Sequence, residues 1–181
     1  MGVGRTQVLV GVEGSVVFKD RFEAGRLLGR ELLKFSIGAD IIIGLARGGV
    51  VVAAGVAREL HKPFDVLVVK KIGSPGNPEF AIGARVPEGQ TIDVRGKTVI
   101  LTDDGAATGF TMDAAVHWVS KHAAKKIIVA LPVAPPDVVE KLQMLAGGVI
   151  VLEKPAHFGA VGQFYRDFTQ VTDEDVVQLL S

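Results

Sequence analysis

The sequence predicts an α/β fold, one domain built on a mostly parallel sheet flanked by helices. Three observations carry this. Short, nearly unbroken apolar runs recur at 41–44, 65–70, 98–102, 126–131 and 149–152. Strands covered on both faces read this way, whereas half-exposed strands alternate. Between the runs, apolar residues return at helical spacing, so strand and helix alternate as crossover-linked parallel strands require. Finally, 181 residues with 48% hydrophobic content suit one domain with a sizeable core.

The elements follow in order. Residues 1–17 are rich in Gly and Val and suggest an N-terminal arm or an edge strand. From Asp20 to about Lys34, Phe22, Leu27, Leu28, Leu32 and Leu33 recur near helical spacing. A strand over 41–44 precedes a helix over 50–60, and a strand over 65–70 follows. Residues 98–102 form another strand and 111–121 a helix. Then come a strand over 126–131, a helix over 135–146 and a strand over 149–152. Thr172-Asp-Glu-Asp175 has the form of a capping box opening a last helix to Leu180. In such sheets ligands bind beyond the carboxyl ends of the strands. The loops after Gly44, Lys70, Thr102 and Leu131 are therefore the ones to read for function.

Composition narrows the field. Lys and Arg number 20, as do Asp and Glu, so nothing asks for nucleic acid or an anionic membrane as partner. There is no cysteine, which excludes disulfides, zinc-thiolate sites and cysteine nucleophiles. No apolar run reaches the ~18 residues that span a bilayer. The first residues lack a secretory pattern, and Met1-Gly-Val-Gly-Arg-Thr6 fits only a permissive myristoylation pattern. A cytoplasmic protein is the expectation.

The most informative loop follows the 98–102 strand. Two adjacent carboxylates, Asp103 and Asp104, lead into Gly105-Ala-Ala-Thr-Gly-Phe-Thr111 and then a helix. Small residues let backbone approach a ligand, and amides at a helix start favour a phosphate. Thr108 and Thr111 add hydroxyl donors. The carboxylates cannot hold a phosphate, but they suit the hydroxyls of a vicinal diol. One loop thus offers acids for sugar hydroxyls and amides for a phosphate. The plain alternative is an ordinary βα turn with Asp near a helix start.

Strand, acid pair, small residues and Thr-Gly-Phe-Thr resemble the signature of type I phosphoribosyltransferases. The resemblance extends through Leu45-Ala-Arg-Gly-Gly49, residues 70–83, Pro132-Val-Ala-Pro-Pro136 and residues 158–168 to a phosphoribosyltransferase-like subgroup, covering about residues 18–181. It implies the type I fold with a small hood drawn mainly from 153–168. It also implies phosphoribosyl diphosphate as donor, Mg2+ as cofactor, a homodimer, and transfer of ribose 5-phosphate to a nitrogenous acceptor as diphosphate leaves. Asp103 and Asp104 would contact the ribose hydroxyls and touch the metal, directly or through water. Ala107, Thr108, Gly109, Phe110 and Thr111 would hold the 5-phosphate.

The other loops fill in the expectation. Arg47 stands among small residues at a helix start and can offer amides and a guanidinium to a diphosphate; a plain turn with a solvated Arg is the alternative. In the family this is the diphosphate loop, here Ala46, Arg47 and Gly48, and a cis peptide is expected at Ala46–Arg47. Lys70 or Lys71, read as ending the 65–70 strand, would neutralise the leaving group. Phe158, Phe164 and Tyr165 are candidates to stack on a flat acceptor, or else simply pack the hood.

Three departures from the family bear on turnover. Ala107 stands where purine enzymes often carry an acid, Phe110 stands where a polar residue is common, and segment 86–97 is short for a closing lid. A non-catalytic sensor of phosphoribosyl diphosphate or a nucleotide is the alternative function. Other motifs fail. Gly96-Lys-Thr98 precedes a strand, and Thr91 stands where a P-loop needs glycine. His117 and His122 share a helix face too poorly for a metal. No Gly-x-Gly-x-x-Gly follows a strand.

Overall fold

A computed structural model describes residues 9–10, 17–75 and 77–181. The element order is β1 (Leu9–Val10), α1 (Arg21–Lys34), β2 (Ile41–Leu45), α2 (Gly48–Leu60), β3 (Phe64–Leu67), β4 (Lys70–Ser74) and β5 (Asn77–Arg85). Then follow β6 (Thr98–Thr102), α3 (Phe110–Lys121), β7 (Lys126–Val133), α4 (Pro136–Leu145), β8 (Gly148–Glu153), a 3-10 turn (Val161–Phe164) and α5 (Asp173–Leu180). Six strands form one sheet in the order β1-β8-β7-β6-β2-β3, and every neighbouring pair in it is parallel. Leu9–Val10 is its edge, beside Ile150 and Val151; the rest of the proposed arm, 1–8 and 11–16, lies outside the described residues.

Successive residues of a strand point to opposite faces, and this builds two cores. Ile42, Ile100, Ile128 and Ile150 turn toward α1 and α2, where Leu28, Leu32, Val52 and Val56 complete one layer. Ile43, Leu101, Val129 and Val151 turn toward α3 and α4, against Met112, Val116, Val138 and Leu142. The continuous apolar runs are thus consumed on both faces.

Two features differ from the sequence expectation. The strand expected over 65–70 ends at Leu67, and Lys70 and Lys71 open a separate antiparallel hairpin, β4–β5, that stands apart from the sheet. It carries exposed Ile72 and Ile82. The second, which no expectation covered, is a stitch between residues 18–19 and residues 164–167. The Phe18 amide donates to the Phe164 carbonyl at 2.8 Å, Arg166 donates to Phe18 at 2.8 Å, and Asp167 donates to Lys19 at 2.9 Å. This ties the start of α1 to the hood. Asp20 then caps α1, its side chain accepting from the Glu23 amide at 2.8 Å.

Candidate active site

The loops after β2 and β6 lie side by side, because those strands pair directly and end in register, Gly44 beside Thr102. Both loops lead into helices whose first turns are free of side-chain caps among the described residues. Their leading amides are therefore open to an anion. On the β2 side, Ala46–Arg47 is a cis peptide, and Arg47 takes the N-cap position of α2. On the β6 side, Gly109 caps α3 at φ 75°, a left-handed conformation natural to glycine. Ala107 and Thr108 are exposed there, while Phe110 is half-buried beneath the Lys141 ammonium, 5.0 Å from its ring centre.

The two loops touch. A Cβ on Gly48 would collide with the Asp104 carboxylate and come within 2.9 Å of Arg21 Nε. Asp104 accepts from Arg21 Nε at 2.8 Å, and its backbone carbonyl accepts the Tyr165 hydroxyl at 2.6 Å. Asp103 Oδ1 accepts the Asp104 amide at 2.8 Å. Desolvation, and next the neighbouring Asp104 charge, push the Asp103 carboxyl well above the usual carboxylate range; the hydrogen bond from the Asp104 amide, then Lys71 and Arg21, oppose this.

The structure gathers some of the proposed site residues and not others. Asp103, Asp104, Arg47 and Gly48 meet at one edge, and Lys71 is near enough for its charge to act on Asp103. Both Lys70 and Lys71 are exposed on the hairpin. Two hood candidates take the packing alternative. Phe164 and Tyr165 are each only 6% exposed and pack in the core, so neither ring is open to a flat ligand. Tyr165 instead lies between Phe18 and Phe168, with ring centres at 5.4 and 5.2 Å. Phe158 is half-buried, 5.3 Å from Phe164.

Sequence reading missed Arg21. An arginine at a helix start reads as a solvated charge, and its partner lies 83 residues away. The one available signal was its place directly after a capping Asp. Two of the four histidines are engaged locally: His117 with Asp113 at 2.8 Å, and His122 stacked on Trp118 at 3.9 Å. Among the described residues no group of three His, Asp or Glu could hold a metal. No helix among them is long and apolar enough to cross a membrane.

A model of the phosphoribosyl transferase domain matches residues 21–169. The chain belongs to that family. Among its phosphoribosyl transferase relatives is a Mycobacterium tuberculosis protein, provisionally named a phosphoribosyl transferase, that is 36% identical over 205 aligned positions. The alignment takes in 91% of this chain and 46% of that protein, so this chain spans about half the relative's length. The adenine phosphoribosyltransferase of Mycobacterium avium is 31% identical, over 70% of this chain and 69% of its own. Among solved structures, a Thermus thermophilus protein superposes with a TM-score of 0.80 at 38% identity, over 90% of this chain and 97% of that one. A purine phosphoribosyltransferase from Pyrococcus horikoshii shares the fold, with a TM-score of 0.56 at 23% identity, over 84% and 93% of the two chains.

Proposed function

We propose that the protein transfers ribose 5-phosphate from phosphoribosyl diphosphate to a nitrogenous acceptor. The observation that carries this is the adjacency of an acid pair and two open helix starts at one edge of a parallel sheet. Asp103 and Asp104 accept hydrogen bonds from the ribose hydroxyls. Residues 107–111 and the first amides of α3 hold the 5-phosphate, with Thr108 and Thr111 as further donors. Ala46, Arg47 and Gly48 hold the diphosphate with the first amides of α2, and Lys71, with Lys70 beside it, adds positive charge.

In the reaction a nitrogen lone pair forms the new C–N bond at the anomeric carbon while the C–O bond to diphosphate breaks. The sugar passes through oxocarbenium character, and the departing group takes up the electron pair. The protein contributes orientation and charge stabilisation. A hard dication suits Asp103 and Asp104, which supply oxygen donors and whose crowded charge it would relieve; its remaining ligands would be substrate oxygens and water. Mg2+ there would supply further charge neutralisation for the diphosphate. By likeness to the family, the working form is a cytoplasmic homodimer, which a monomer mass by light scattering would contradict.

The test is diphosphate release from phosphoribosyl diphosphate and Mg2+ across a panel of purine, pyrimidine and other nitrogenous acceptors. Release that depends on one acceptor, and drops about 100-fold or more in Asp104→Asn, supports the transferase. Tight binding without release for any acceptor supports the sensor instead. Failure of phosphoribosyl diphosphate to bind would overturn both the transferase and a sensor of that diphosphate.

A further inference from the structure

We propose that Arg21 is the positioning residue of the ribose grip, joining Asp104 and the hood into one unit. The inference rests on the reading of Asp104 as a sugar-binding carboxylate.

Arg21 opens α1 and is 9% exposed. Its place is fixed from two sides, by the Asp20 cap and by the backbone stitch from Phe18 and Lys19 to residues 164–167. From there one guanidinium makes three contacts. Nε donates to Asp104 Oδ2 at 2.8 Å, one terminal nitrogen donates to the Thr169 carbonyl at 2.8 Å, and Cζ lies over the Phe168 ring, 3.7 Å from its centre. Only a rigid planar fork with an apolar face does all three at once; an ammonium cannot.

The consequence for the grip is directional. Arg21 occupies Oδ2 of Asp104, and the Asp104 amide occupies Oδ1 of Asp103. Among the described residues the other oxygen of each carboxylate accepts no protein hydrogen bond. Two acceptors on adjacent residues are what a vicinal diol requires. Arg21 also partly offsets the Asp104 charge, one of the two influences that push the Asp103 carboxyl up.

The consequence for the hood is placement. Arg21, Arg47, Gly48, Phe168, Gln170 and Val171 line a cleft of about 290 Å³. Arg21 anchors its hood-side wall through Thr169 and Phe168. Donor grip and opposite wall therefore move together.

The experiment is calorimetric titration of phosphoribosyl diphosphate with Mg2+ into the wild type, Arg21→Lys, Arg21→Gln, Arg21→Ala and Phe168→Leu. Loss of a charge-assisted hydrogen bond predicts about tenfold or greater weakening in all three Arg21 variants. Phe168→Leu keeps both hydrogen bonds, and its half-exposed site tolerates the change; weakening of roughly threefold is expected. Millimolar guanidinium, against equal NaCl, should restore part of the affinity of Arg21→Ala and none of that of Asp104→Asn. A purely structural role would show no such rescue. Affinity within twofold of wild type in folded Arg21→Lys, unchanged affinity in Phe168→Leu, or tighter binding in any Arg21 variant overturns the inference alone. A wild type that binds no phosphoribosyl diphosphate overturns the proposed function and this inference together.

Discussion

At Gly48 the β2 loop crowds the β6 loop, and the clash with Asp104 and Arg21 makes side chains there costly. Gly48→Ala should destabilise the fold by about 1–3 kcal/mol, as inserted methyl groups in packed sites do. It should also weaken phosphoribosyl diphosphate binding, since the collision falls on the carboxylate itself; thermal unfolding and titration calorimetry read the two effects separately. Tyr165→Phe is a gentler probe. It leaves the ring in place and strips the hydroxyl from the Asp104 carbonyl, so a loss of about 1 kcal/mol in chemical denaturation is expected. At this scale the sequence was only partly legible. Asp103, Asp104 and Arg47 stood out because their types and their place after strands already restrict what they can do. Arg21 did not, since nothing local distinguishes a buried guanidinium from a solvated one. Phe164 and Tyr165 could be read either way, because an aromatic residue looks alike whether it faces a ligand or the core, and burial alone decides.

Helices and strands were easier to read than residues. The runs at 98–102 and 126–131 return as β6 and β7 because strands buried on both faces leave no room for polar interruption. The hairpin β4–β5 escaped notice because Gly73, Pro75, Gly76 and Pro78 look like loop punctuation. Its pairing is antiparallel, and Ile72 and Ile82 stand exposed, so no apolar run marks it. Between helices, Glu59 of α2 accepts from Arg26 and Arg30 of α1 at 2.6 and 3.4 Å. The hydrogen bond from Arg26, and next the charge of Arg30, hold its carboxyl below the ordinary value of 4.5. A depressed folded value adds stability above the unfolded value and loses it as pH falls. Glu59→Gln should therefore cost a few tenths to about 1 kcal/mol near neutrality, with the difference vanishing in acid. Urea melts at several pH values would show it. At the far end, Thr172 and Asp175 cap α5 reciprocally, with the Asp175 amide 3.1 Å from the Thr172 hydroxyl. Thr172→Ala should speed amide exchange in α5 by roughly tenfold.

For the whole molecule the test is linkage. A ligand that binds only the folded chain stabilises it by about 2.7 kcal/mol at a hundredfold excess over its Kd. For a chain of this size that corresponds to a rise of roughly 5–10 °C in Tm. Phosphoribosyl diphosphate with Mg2+ should produce such a shift in the wild type and little in Asp104→Asn. An equal shift in both would mean that the ligand sits elsewhere.

The meeting of Arg21, Gly48, Asp104 and Tyr165 also says when the protein becomes competent. Asp104 is 83 residues from Arg21 and 61 from Tyr165, so no fragment emerging early in synthesis can own the grip. Contacts this distant along the chain form late and slowly. Recovery of ligand affinity during refolding should therefore track the slowest native phase, making the ligand a reporter of completed folding.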